Sequence, residues 1–205
     1  MEAHAPHRIV LIGPEASGKT TLARELAAVF DAPWTPEAAR IFAETWPEPL
    51  SAATVAPIAR LSMRFEDEAM TAMAEAEGAS VANSAERAPR LLVRDTDLVS
   101  TVVYARHYYG TVDEWIVAEA RARRASLYLL CHPDLPWLPD GVRDRPLQRL
   151  ALLEDFRAEL LSMDARIVEI TGAGEERRLA ARGAVESFLA TSPRPPRRAA
   201  RRTQR

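Results

Sequence analysis

A chain of 205 residues with 47% hydrophobic content has room for one medium domain with a sizeable buried core. A single cysteine, Cys131, excludes an intramolecular disulfide and a cysteine-cluster metal site. No apolar run approaches the roughly 20 residues of a membrane span, and the short polar start has no signal-peptide pattern, so a cytoplasmic protein without membrane contact is expected.

The formal net charge of −2 hides an asymmetry. Residues 192–205 carry six Arg and no acid, which leaves 21 basic against 29 acidic side chains in the other 191 residues. Rich in Pro and Arg, that tail cannot form a core and is expected to be disordered, with residues 1–191 as the folded domain. An acidic body without interleaved aromatics argues against nucleic acid as a partner. Oligomeric state is not legible.

In chain order, residues 9–12 (Ile-Val-Leu-Ile) are a continuous apolar run, the pattern of a central parallel strand covered on both faces. They lead into Gly13-Pro-Glu-Ala-Ser-Gly-Lys-Thr20, the P-loop spelling between a strand and a helix. Gly13 and Gly18 let the backbone turn tightly and aim N–H groups inward, and the helix N-terminus adds its own amides and dipole. Lys19 reaches the β- and γ-phosphates, and the Thr20 hydroxyl is placed to ligate Mg²⁺. The nucleotide-binding set is therefore Gly13, Glu15, Ala16, Ser17, Gly18, Lys19, Thr20 and Thr21, for ATP with Mg²⁺. Of 27 basic residues 26 are Arg, and the one Lys is Lys19. The only compact ammonium stands where a phosphate needs a point charge.

The following helix, residues 19 to about 30, places Leu22, Leu26 and Val29 on one stripe. Residues 32–34 read as a short strand, after which Thr35 caps a helix and Pro36 takes its first position. Residues 52–77 are one long helix or two close ones, and residues 78–89 a polar connection. Residues 91–93 are a buried strand ending in Arg94-Asp95-Thr96-Asp97. A helix then runs to Tyr109, stopped by Gly110, and Asp113 opens another to about Arg124. A strand at 126–131, a loop at 133–146, a helix at 147–162, a strand at 166–170 and a helix at 174–190 complete the chain. Strands alternate with helices throughout, which predicts a three-layer α/β fold with a parallel sheet of about five strands and right-handed crossovers.

Ligands of such sheets sit outside the carboxyl ends of the strands. Three acids lie there: Glu37, Asp95 and Asp97. Asp95, at the end of a buried strand, fits the role that orients Mg²⁺ or its water. Asp97 is either a helix cap or a substrate contact. Glu37 is either a first-turn acid on a helix dipole or the carboxylate that takes a proton from an attacking hydroxyl. The segment at 140–146, carrying Arg143 and Arg145 with Arg149 one turn on, reads as a lid whose cations stabilise the phosphoryl group in flight. Trp137 is either a packing residue or a stacking surface for a flat ring.

The P-loop, the Asp95-Thr96-Asp97 segment and Pro136-Trp-Leu-Pro-Asp-Gly-Val-Arg143, in this order, resemble the NadR-type ribosylnicotinamide kinase domain over residues 8–189. The resemblance implies a P-loop nucleoside-kinase-like fold that phosphorylates the ribose 5′-hydroxyl of nicotinamide riboside with ATP and Mg²⁺. It places Trp137 on the nicotinamide, Arg143 in the lid, and Asp95 and Asp97 at the metal and ribose. That family often carries Glu-Tyr-Gly-Arg after the second strand; here Glu37-Ala38-Ala39-Arg40 keeps the charged ends without the aromatic. The expected catalytic set is Lys19, Glu37, Asp95, Asp97, Arg143 and Arg145. Glu37, Arg40, Asp97 and Trp137 line the acceptor site, and Thr20 and Asp95 hold the metal. A stand-alone kinase is expected, without the nucleotidyltransferase and helix-turn-helix domains of multifunctional relatives. A deoxynucleoside or other small-molecule kinase and a regulatory P-loop ATPase are the competing readings.

Overall fold

The strongest apolar runs of the sequence become the middle of a parallel sheet, because a strand without alternation must be covered on both faces. The computed structural model describes residues 6–79, 90–136 and 148–192. Its elements are β1 (His7–Ile12), α1 (Lys19–Val29), β2 (Trp34–Thr35), α2 (Ala38–Thr45), α3 (Val55–Ala79), β3 (Leu91–Asp95), α4 (Leu98–Tyr109), α5 (Glu114–Ala122), β4 (Leu127–Cys131), α6 (Arg149–Ser162), β5 (Ile167–Ile170) and α7 (Gly174–Thr191). The five strands lie in the order β2-β3-β1-β4-β5, and every neighbouring pair is parallel.

The two faces bury different sets of side chains. Val10, Ile12, Tyr128 and Leu130 pack against α4, α5 and α6 through Val99, Val102, Ile116, Leu152 and Phe156. Ile9, Leu11, Val93, Leu127 and Leu129 pack against α1 and α7 through Leu22, Leu26, Ala181 and Val185. A third, smaller cluster of Ala38, Ala39 and Ile58 joins α2 to α3. Helix, sheet and helix thus form the expected three layers. No described helix is long and apolar enough to cross a membrane.

Local signals mostly hold. Gly110 ends α4 at φ 76, in the left-handed conformation that costs glycine nothing, with its N–H on the Arg106 carbonyl. Three expectations need correction. Val29 is 52% exposed, and the buried stripe of α1 is instead Leu22, Ala23, Leu26 and Ala27, because the short helix meets the sheet through small residues. Helix α2 begins at Ala38 with Glu37 at its N-cap, not at Pro36. Thr35 is not a cap because β2 claims it: it pairs with Arg94 of β3, and its hydroxyl accepts from Arg94 Nε at 3.4 Å. Helix α3 runs through Gly78 to Ala79 rather than stopping before the glycine.

Phe156 is fully buried and meets the Tyr104 ring edge-to-face at 5.4 Å. Phe156→Ala is expected to lower unfolding free energy by about 3–5 kcal/mol, measured by urea denaturation, since a ring-sized hole opens under α4.

Candidate active site

A loop that aims its N–H groups at an anion must place its carbonyls elsewhere, and here those of Gly13, Pro14, Ala16, Ser17 and Gly18 have donors. The Pro14 carbonyl accepts from Lys19 Nζ and from the Ser17 hydroxyl, both at 2.7 Å. The Ser17 carbonyl accepts from Arg177 Nη2 at 2.7 Å and the Ala16 carbonyl from Arg149 Nη2 at 3.2 Å. Gly13 accepts from the Tyr104 hydroxyl at 3.4 Å, and Gly18 from the Leu22 amide. Gly13 is also irreplaceable by space: at φ +136, a Cβ would lie 2.4 Å from the Cys131 carbonyl oxygen of β4. Glu15, almost fully buried, accepts long hydrogen bonds from the hydroxyls of Tyr104 and Tyr108 on α4. Thr21 is exposed on the first turn of α1.

Asp95, the last residue of β3, meets the loop. Its Oδ2 accepts from the Thr20 hydroxyl at 2.5 Å, while its buried Oδ1 has no hydrogen-bond partner among the described residues. Burial, with the neighbouring Glu37 charge adding to it, pushes the carboxyl up to about 6, against the pull of Lys19 and the Thr20 hydroxyl. A hydroxyl and a carboxylate oxygen left over are the hard-oxygen donors Mg²⁺ takes when substrate phosphates and water complete its shell. The residues present therefore fit that ion.

Thr96 separates the two acids at φ +69, a left-handed conformation costly for a β-branched side chain by about 1–3 kcal/mol. Its N–H on the Leu11 carbonyl holds it there. On its other side Asp97 caps α4, with Oδ1 accepting from the Val99 amide at 2.9 Å and Oδ2 from the Tyr128 hydroxyl at 2.8 Å. Burial raises its carboxyl, opposed chiefly by the Arg94 charge and the Tyr128 hydrogen bond.

A cavity of about 240 Å³ opens beside these acids, with Glu37, Ser62, Asp97 and Ser100 on its polar side and Tyr104, Tyr108 and Tyr109 on its aromatic side. Glu37 is largely buried at its rim, and Arg40 Nε stands 3.9 Å from Glu37 Oε2. The structure thus brings together the P-loop, Thr20, Asp95, Asp97 and Glu37, with Arg40 alongside. Trp137, Arg143 and Arg145 lie outside the described residues. Arg149, grouped with the lid in the sequence, turns its guanidinium to the carbonyls of Leu135 and Ala16. The tyrosines of α4, Tyr128 and Arg177 carried no motif in the sequence; only a helical Tyr104-x-x-x-Tyr108 spacing hinted at a shared face.

The family model described as an AAA domain matches residues 8–177. Among curated proteins no match was found. A solved structure of NadR protein in complex with NR matches with a TM-score of 0.69 and 20% identity, covering 94% of this chain and 54% of that one. NadR in complex with NAD and AMP-PNP gives 0.66 at 20% identity, covering 94% and 52%. Thymidylate kinase from Ehrlichia chaffeensis gives 0.55 at 11% identity, covering 90% and 99%. The fold is that of P-loop kinases, and the chain spans about half the length of the NadR structures.

Because the folded Asp95 binds its proton more tightly than a carboxyl of ordinary value 3.8, it favours the folded state below that value. This contribution is lost as pH rises to about 6 and is constant above. Asp95→Asn removes the charge. In calorimetry without nucleotide, its Tm is expected to exceed wild type by about 2–8 °C at pH 7.5, and the gap should shrink by pH 4.5.

Proposed function

The chain belongs to the AAA-domain family, and on that footing we propose that it is an ATP- and Mg²⁺-dependent kinase of a small nucleoside-like acceptor, converting nicotinamide riboside to its 5′-phosphate. The observation that carries this reading is the small-molecule-sized cavity at the strand ends, bordered by Glu37 and Asp97, beside the Thr20–Asp95 pair. A hydrolase needs only a water there; an acceptor needs a walled space.

The acceptor's 5′-oxygen attacks the γ-phosphorus, the bond from that phosphorus to the bridging oxygen breaks, and ADP leaves. The hydroxyl proton goes to Glu37. Asp97 is the poorer base, because both of its oxygens already accept hydrogen bonds. The P-loop amides and Lys19 hold the phosphates in line, which is most of what phosphoryl transfer asks of a protein. Thr20 and Asp95 would hold Mg²⁺, which when bound neutralises charge on the β- and γ-oxygens. Arg143 and Arg145 supply cations from the lid, and Trp137 takes the cationic nicotinamide ring, both on the strength of the sequence pattern.

The test incubates the full chain with ATP, Mg²⁺ and nicotinamide riboside beside a nucleoside panel, following ADP release and the mass of the product. Nicotinamide mononucleotide is the expected product; ADP release at the same rate without any acceptor would put the ATPase reading ahead. Lys19→Ala should cut kcat/KM by 100-fold or more, and Glu37→Gln should cut kcat by about 10²–10⁴ with little change in KM. Trp137→Ala should raise the riboside KM by about 2- to 30-fold and leave the ATP KM alone.

A further inference from the structure

Arg94 is a charged residue in the middle of a sheet, only 2% exposed. Its guanidinium is spent entirely on protein. Nη1 donates to Glu66 Oε2 at 2.7 Å, Nη2 to the carbonyl and hydroxyl of Ser62 at 3.1 Å, and Nε to the Thr35 hydroxyl at 3.4 Å. Glu66, equally buried, also accepts from Arg8 Nη1 at 2.5 Å and lies 3.6 Å from Arg123 Nη1. Desolvating such a pair roughly cancels its attraction, so stability alone is a poor reason to keep it where apolar side chains would pack as well.

Its location supplies another reason. Arg94 immediately precedes Asp95, and its charge also favours the ionised form of Asp97. Ser62 lines the cavity, and so do Thr54, Val55 and Ile58 from the turn and helix that lead to it. Thr35 lies two residues before Glu37. One planar fork therefore ties the α3 wall of the cavity and the chain leading to Glu37 to the strand bearing the acids. We propose that Arg94 is a positioning residue of the acceptor site, setting the distance between the α3 wall and the strand-end carboxylates, while the nucleotide half of the site is independent of it. This rests on the kinase reading above.

The test compares wild type, Arg94→Lys, Arg94→Met and Arg94→Met/Glu66→Leu. The double variant replaces the ion pair with apolar side chains of similar size and so restores stability, leaving Arg8 and Arg123 in contact with solvent. With nicotinamide riboside as acceptor, the double variant is expected to show an acceptor KM raised about 10- to 100-fold, with an ATP Kd within twofold of wild type. Arg94→Lys, which keeps the charge and loses the fork, should fall on the side of the defective variants. Hydrogen exchange is read in parallel on the nucleotide-free proteins. The double variant should exchange faster at residues 55–62 while residues 13–22 stay unchanged. An unchanged KM with unchanged exchange at 55–62 overturns the proposal, and so does a parallel loss of ATP affinity. If wild type phosphorylates neither the riboside nor any nucleoside of the panel, the kinase reading fails, and the exchange pattern and ATP affinity alone decide whether Arg94 holds the wall.

Discussion

A peptide unit cannot aim its N–H at a phosphate without aiming its C=O somewhere else, and the outward carbonyls of the P-loop organise much of this molecule. A buried carbonyl without a donor costs as much as a lost hydrogen bond, so the loop needs an external set of donors. Arg177 comes from α7 and serves three carbonyls at once, those of Ser17, His132 and Gly172. Arg149 comes from the first turn of α6 and serves Ala16 and Leu135. Tyr104 comes from α4. The shape of an eight-residue loop near the N-terminus is therefore maintained by side chains from three later helices.

The same economy explains the placement of charge. Burial lowers the Arg149 guanidinium's hold on its proton, yet a guanidinium offers several donors in one plane, which is what a cluster of carbonyls requires. Lysine offers a point charge instead, and the chain's only one sits at the loop itself, with its ammonium on the Pro14 carbonyl. The carboxylates follow the opposite logic. Asp97 has each oxygen in a hydrogen bond to the protein, whereas Asp95 has one oxygen without a hydrogen-bond partner among the described residues. Two acids two residues apart thus differ in what they have left to give, and the strained Thr96 between them sends them to different neighbours.

What was legible in the sequence follows from which interactions are local. The sheet was readable because uninterrupted apolar runs such as residues 9–12 and 91–93 have few other uses. The P-loop and Asp95 were readable because motif and strand end are contiguous in the chain. The braces were not: Arg177 reaches Ser17 across 160 residues and looks like an ordinary helical arginine in the sequence, while Arg149, grouped there with the lid, reaches Ala16 across 133. Tyr128 lies among the four other residues of an apolar strand that give no sign of a polar partner, yet its hydroxyl finds Asp97. Arg94 read as one charge in a polar strand end, although its partners Ser62 and Glu66 lie a helix away. Thr35 misled for a related reason: a two-residue strand is too short to announce itself against a good capping residue and a proline.

The position of β1 in the sheet has a consequence for how the chain assembles. It is first in sequence but central in space, pairing His7 with Leu91 on one side and Ile9 with Leu127 on the other. Its partners begin 84 and 118 residues further along the chain, and closing loops of that length carries an entropic toll that grows with the logarithm of the separation. An Ile-Val-Leu-Ile run with both edges unpaired is meanwhile a ready template for unwanted strand addition. A strand whose last four residues are fully buried in the finished fold is thus exposed as a nascent segment. The molecule's folding rate is bounded by long-range closure rather than by the speed at which the helices form.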